Sequence, residues 1–104
     1  MEQIFSRFAM LVGEEGIDKL NNSSVIVFGI GGVGSYVVES LVRSGIGKIT
    51  MVDFDEISES NINRQIHALK STVGKSKIEV MKERILDINP ECEVILKKKF
   101  VSIW

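Results

Sequence analysis

The chain has 104 residues, of which 44% are hydrophobic and 26% charged, with a formal net charge of −1. That length holds one domain at most, and the composition is ordinary for a folded globule. The near-zero charge gives no global positive field for nucleic acid. No apolar run approaches the ~20 residues of a membrane helix, and Met1-Glu2-Gln3 opens no secretory leader. The single cysteine, Cys92, makes neither a disulfide framework nor a zinc cage. Together these features exclude a membrane partner and point to the cytoplasm.

In chain order, residues 1–22 read as a helical extension. Ile4, Phe8 and Leu11 recur at helical spacing around the lone cation Arg7, and Ile17 and Leu20 repeat the pattern after Gly13. Asn21-Asn22-Ser23-Ser24 is turn chemistry. Residues 23–104 then read as one nucleotide-binding unit. Val25-Ile26-Val27-Phe28 is a continuous apolar run, the pattern of a strand buried on both faces. Gly29-Ile30-Gly31-Gly32-Val33-Gly34 follows, and then an amphipathic helix over 35–44. Lys48 to Val52 is a second apolar strand, ending in Asp53-Phe54-Asp55. Residues 56–65 are polar and irregular with room for one helical turn. Lys75 to Asn89 is a helix with Ile78, Met81, Ile85 and Ile88 on one stripe, stopped by Pro90. Val94-Ile95-Leu96 opens a third strand with room to run to Val101.

Strand, helix, strand, helix, strand predicts an α/β fold. It is the N-terminal half of a Rossmann-like, doubly wound parallel sheet with strand order 3-2-1. In such a sheet the first strand is central. The fourth strand, normally on its other side, is expected beyond residue 104, so residues 23–104 read as a truncated half and as inactive alone.

The chemistry concentrates at the glycines. Strand, glycine turn and helix form the context that gives the pattern meaning. Gly29 permits a tight turn, Gly31 and Gly32 leave room for phosphate oxygens, and Gly34 lets the helix lie close to the strand. The N–H groups of the first helical turn then face an anion. Asp53, at the end of the second strand, stands where this fold sets a carboxylate on ribose hydroxyls. These features suit NAD and ATP alike. The following block, with Asp55, Asn61, Arg64 and Lys77, suits a triphosphate: a planar guanidinium, a compact ammonium and a polar amide near one turn. His67 reads as a hydrogen-bonded structural histidine, Cys92 as a packing residue, and Lys97-Lys98-Lys99 as a solvated strand end.

Phe5-Ser6-Arg7, the glycine string, Asp53-Phe54-Asp55, Ser60-Asn61-Ile62-Asn63-Arg64-Gln65, Val73-Gly74-Lys75-Ser76-Lys77 and Ile88-Asn89-Pro90 together resemble the ThiF/MoeB/HesA superfamily. These are the ATP-dependent activating enzymes related to ubiquitin-activating enzyme. Asn63-Arg64-Gln65-Ile66-His67-Ala68-Leu69 resembles its tRNA threonylcarbamoyladenosine dehydratase branch. The resemblance implies ATP-dependent adenylation of a substrate carboxylate by an adenylyltransferase-type enzyme. Its nucleotide set is Gly29, Gly31, Gly32, Gly34, Asp53, Asp55, Asn61, Arg64 and Lys77, with Arg64 and Lys77 acting in catalysis. It further implies that Arg7 reaches in trans into the ATP of a homodimer partner, and that Mg²⁺ is held by an aspartate beyond residue 104, so no metal ligand is assigned here. The implied substrate is tRNA or, in other branches, the C-terminus of a sulfur-carrier protein. An NAD(P)-binding oxidoreductase fragment and a non-catalytic remnant are the readings from other classes.

Overall fold

The structure, a computed structural model, describes residues 16 and 18–100. Three strands, β1 (Ser24–Phe28), β2 (Lys48–Val52) and β3 (Glu93–Lys97), alternate with two helices, α1 (Gly32–Arg43) and α2 (Lys77–Ile88). Both strand pairings are parallel and the order is β1-β2-β3, so the expected 3-2-1 half-sheet is what forms. A short 3₁₀ turn, Glu59–Asn61, interrupts the long connection from β2 to α2. The boundaries shift modestly from the sequence expectation: α1 starts at Gly32, inside the glycine string, α2 starts at Lys77, and β3 ends at Lys97.

The register aligns Val25 with Ile49 and Val94, and Val27 with Met51 and Leu96. Strand alternation puts all six on one face. Val38 and Val42 of α1 and Ile78, Met81 and Ile85 of α2 join them in one core. Both helices therefore cover the same face, as right-handed crossovers dictate when the strand order advances in one direction. Each fully buried side chain here contributes about 1.5–3 kcal/mol of hydrophobic stabilisation. The helices are also tied by charge. Glu39 on α1 accepts hydrogen bonds from Arg84 of α2 (Nε at 2.7 Å, Nη2 at 3.0 Å) and from Arg43 (Nε at 2.8 Å).

The reading of β1 as buried on both faces is corrected. Ile26 and Phe28 alternate onto the face opposite the helices and are 55% and 63% exposed. The physical reason is position: β1 is an edge strand with one partner among the described residues, whereas the central β2 has Ile49, Thr50, Met51 and Val52 all buried. An apolar run records the wish to be buried; which face is covered depends on what packs there.

Most of the 1–22 extension, Arg7 included, lies outside the described residues. Its end does dock: residues 18–21 are helical, and the carbonyl of Leu20 accepts the N–H of Gly47 at 3.1 Å. A Cβ at Gly47 would collide with the carbonyl of Asn21.

Candidate functional site

The site grows from the end of β1. Gly29 takes φ +82°, a left-handed conformation open to glycine at little cost, and turns the chain off the sheet. Gly31 precedes α1 and offers no side-chain cap, so the first-turn N–H groups of a 12-residue helix have no side-chain cap at this end. Gly34 explains how that helix lies so close: a Cβ there would come within 3.0 Å of the Gly29 carbonyl carbon, with the carbonyl oxygen nearer still.

A cleft of about 530 Å³ opens at this turn, and Gly29, Gly31, Gly32, Asp53, Asp55 and Lys77 line it. Lys77 is the first residue of α2 and is buried. Its N–H donates to the Asp55 carbonyl at 3.1 Å, which fixes the start of α2 against the end of β2. Among the described residues its ammonium forms no ion pair. A buried ammonium, the positive end of a helix dipole and a turn without side chains define an anion site. A second hollow of about 590 Å³ is lined in part by Phe54, Glu56, Lys75, Glu79, Glu83 and Lys98. Its three carboxylates and two ammoniums carry the same net charge as Asp53, Asp55 and Lys77 in the glycine cleft, so the bare turn and the start of α1, not charge, single out the smaller cleft.

Asp53 is buried and both its oxygens are engaged. Oδ2 accepts the N–H of Ile30 at 2.6 Å and Oδ1 accepts the N–H of Asp55 at 2.8 Å. The carboxylate thus clamps the glycine turn to the end of β2. Each oxygen keeps a lone pair for a further donor, such as a ribose hydroxyl. Asn61 is buried at the end of the 3₁₀ turn, where its Oδ1 accepts the N–H of Ser58 at 2.9 Å. Its amide N–H groups remain as donors. Arg64 is exposed, and its Nη1 donates to the Ser60 carbonyl at 2.8 Å and to Asn63 Oδ1 at 3.1 Å. Its stem lies over Gly32: a Cβ there would sit 3.9 Å from Arg64 Cγ. The structure therefore brings Asp53, Asp55 and Lys77 to the glycine cleft, lays the Arg64 stem over Gly32, and leaves the Asn61 amide and the Arg64 guanidinium bonded to their own loop.

Two residues to which the sequence assigned no ligand role pack against the glycine turn without lining the cleft. Gln65 is buried, its Nε2 lies 3.8 Å from where a Cβ on Gly31 would be, and its Oε1 has no partner among the described residues. His67 is 2% exposed, and its Nε2 meets the Ile30 carbonyl at 2.7 Å. Burial pushes its pKa below the ordinary imidazole value. The bond to Ile30 opposes that shift, the nearby Lys77 ammonium adds to it, and Asp53 opposes it. Both residues belong to the Arg64–Leu69 string; nothing in their spacing shows that this loop folds back onto the turn. Cys92 sits in the core, where burial raises its pKa.

Residues 5–102 match the ThiF family, nearly the whole chain. The chain belongs to the ThiF family. This ThiF-family chain is 56% identical over 98 residues to a tRNA threonylcarbamoyladenosine dehydratase of Bacillus subtilis, covering 94% of this chain and 39% of that protein. The crystal structure of the Escherichia coli tRNA N6-threonylcarbamoyladenosine dehydratase TcdA in complex with ATP matches with a TM-score of 0.94 and 49% identity. That match covers 96% of this chain and 41% of that one. An adenylyltransferase and sulfurtransferase MOCS3 of Drosophila yakuba is 40% identical over 82 residues, 79% of this chain and 18% of that protein. The chain thus spans about two fifths of the length of these two bacterial dehydratases. Among the described residues no helix is long and apolar enough to cross a membrane.

Proposed function

We propose that this chain is the ATP-binding portion of an adenylating enzyme, and that the whole protein acts on threonylcarbamoyladenosine in tRNA. The observation that carries the reading is the buried ammonium of Lys77 in one cleft with the bare glycine turn and the start of α1. The family and the ATP complex of the Escherichia coli relative support it. ATP fits as a substrate whose phosphates lie along Gly31 and Gly32, which line the cleft with no side chain of their own. Asp53 then receives the ribose, Lys77 takes the phosphate charge, and Arg64 and Asn61 turn toward the nucleotide when it binds.

In the reaction proposed, a carboxylate oxygen of the substrate attacks the α-phosphorus. The bond to the β-phosphate oxygen breaks, pyrophosphate leaves with that electron pair, and an acyl-adenylate remains. The amide nitrogen of the substrate then attacks the activated carbonyl and closes a ring, the bond to the AMP oxygen breaks, AMP leaves with that electron pair, and the nitrogen's proton passes to solvent. Lys77 and the helix N–H groups act by stabilising negative charge as it builds on the phosphates. The described residues contain no cluster of three metal-binding side chains; Mg²⁺ needs only one or two carboxylates beside the phosphates, and the aspartate proposed to supply one lies beyond residue 104. No step is therefore routed through a metal.

We further propose that the protein works in the cytoplasm as a homodimer in which Arg7 reaches the partner's ATP. Mixing Arg7→Ala protomers with Lys77→Ala protomers in the parent-length protein restores part of the activity if so; no rescue refutes the trans role. The MOCS3 relative supports a second reading, adenylation of a sulfur-carrier protein's C-terminus. Isothermal titration tests the nucleotide: ATP binds more tightly than NAD, and the reverse order overturns adenylation in favour of a dehydrogenase. ATP–pyrophosphate exchange in the parent-length protein, stimulated by tRNA carrying threonylcarbamoyladenosine and not by a sulfur-carrier protein, separates the two substrates.

A further inference from the structure

The backbone of Ile30 is held from both sides. Its N–H donates to Asp53 Oδ2 at 2.6 Å, and its carbonyl meets His67 Nε2 at 2.7 Å. Ile30 is the residue between Gly29 and Gly31, so this grip falls in the middle of the turn that shapes the cleft. Without such fixing, a segment flanked by glycines has many conformations to lose when an anion binds. The N–H side is anchored to β2 and the carbonyl side to the loop that carries Arg64 and Gln65. That loop is joined to α1 once more: Ile66 N–H donates to the fully buried Ser35 Oγ at 3.3 Å.

We infer that His67 is a positioning residue of the nucleotide site, whose Nε2–H holds the Ile30 carbonyl and so locks the glycine turn and the Arg64 loop together as one preformed cradle for phosphate. The inference rests on the ATP reading above and assigns a residue to it. A carbonyl can only accept, so Nε2 carries the proton. Nδ1 is then the lone-pair nitrogen, and it is buried without a partner among the described residues. A second proton there would place a buried cation near Lys77, with Asp53 the carboxylate that opposes it, and burial favours the neutral ring. His67 does not touch the cleft and takes no proton in the reaction.

The test uses the fact that His67 is the only histidine in the chain. Long-range ¹⁵N spectra of that one ring at pH 7 show a neutral Nε2–H tautomer; an Nδ1–H tautomer or a charged ring overturns the clamp whatever ATP does. Isothermal titration with ATP then compares variants. In His67→Gln the amide nitrogen reaches the place of Nε2, and affinity stays within about threefold. In His67→Asn the amide stops short, and affinity falls roughly tenfold, the scale of one lost buried hydrogen bond. His67→Phe fills the space without a donor and falls at least as far. Should His67→Phe fail to fold by circular dichroism, the Gln and Asn pair decides: equal ATP affinity in the two overturns the inference and leaves the ATP reading intact. A wild-type chain with the expected tautomer and no ATP binding overturns the ATP reading, and this inference with it.

Discussion

Replacing Gly34 by alanine should destabilise this chain, although alanine is the better helix former. Gly34 lies inside α1, where the exchange normally gains up to about 1 kcal/mol from helix propensity. Here the added methyl would stand 3.0 Å from the carbonyl carbon of Gly29, closer still to its oxygen, and 3.8 Å from Val27 Cγ1. Carbon atoms prefer separations of about 3.5–4.0 Å. The obstacle is backbone, which cannot swing aside as a side chain does, so α1 has to lift off β1. Overpacking of this kind costs about 3 kcal/mol, the upper end of its usual range. Subtracting the propensity gain leaves about 2 kcal/mol, which lowers Tm by roughly 8–16 °C in a domain of this size. Thermal denaturation followed by circular dichroism reads it. Gly32→Ala is the contrast: its Cβ would meet Arg64 O at 3.7 Å and Cγ at 3.9 Å, ordinary contact distances. That variant should melt within about 2 °C of wild type, a stability change of about 0.5 kcal/mol or less, yet bind ATP weakly, because the methyl occupies the phosphate's approach. A Gly34→Ala chain that melts with the wild type would refute the close-approach reasoning.

Glu39 should govern part of the acid stability. The Arg84 hydrogen bond, more than Arg43, holds its pKa below the ordinary 4.5 against the opposing effect of burial. Its folded value lies below its unfolded one, so its contribution is complete above about pH 4.5 and fades as pH falls through the folded value. Glu39→Gln should cost about 1–2 kcal/mol at pH 7, reduced because Arg84 is partly solvated, and should flatten the acid limb in urea titrations; an unchanged limb would remove Glu39 from the account. Cys92, the single thiol, should resist alkylation by iodoacetamide at pH 8 in the folded chain and react once urea unfolds it, because burial raises its pKa. Rapid reaction in the native state would place it at the surface. Arg64→Ala in the parent-length protein should slow ATP–pyrophosphate exchange by about 2–4 kcal/mol of transition-state stabilisation while leaving the melting curve near wild type. A purely structural Arg64 would reverse that pattern.

Element order, the parallel sheet and the place of the cleft are legible in the residues alone. Apolar runs at strand length, a helical stripe from Ile78 to Ile88 and glycines at fixed offsets are local constraints, and each residue states its own. Asp53 was legible for the same reason, since the end of β2 meets the end of β1 whenever two such strands pair in parallel. Whatever depends on two distant segments meeting emerges only when the elements pack. Glu39 and Arg84 lie 45 residues apart and His67 and Ile30 37 apart; no periodicity links either pair, because a hydrogen bond between elements depends on the rotation and offset of each. The same holds for Ile26 and Phe28. Their apolar character is written in the chain, but exposure is a property of the neighbour that covers a face or leaves it bare. Arg64 shows the limit from the other side: its charge is plain in the sequence, yet its guanidinium bonds the Ser60 carbonyl and Asn63 Oδ1 of its own loop, acceptors that only the folded loop sets within reach.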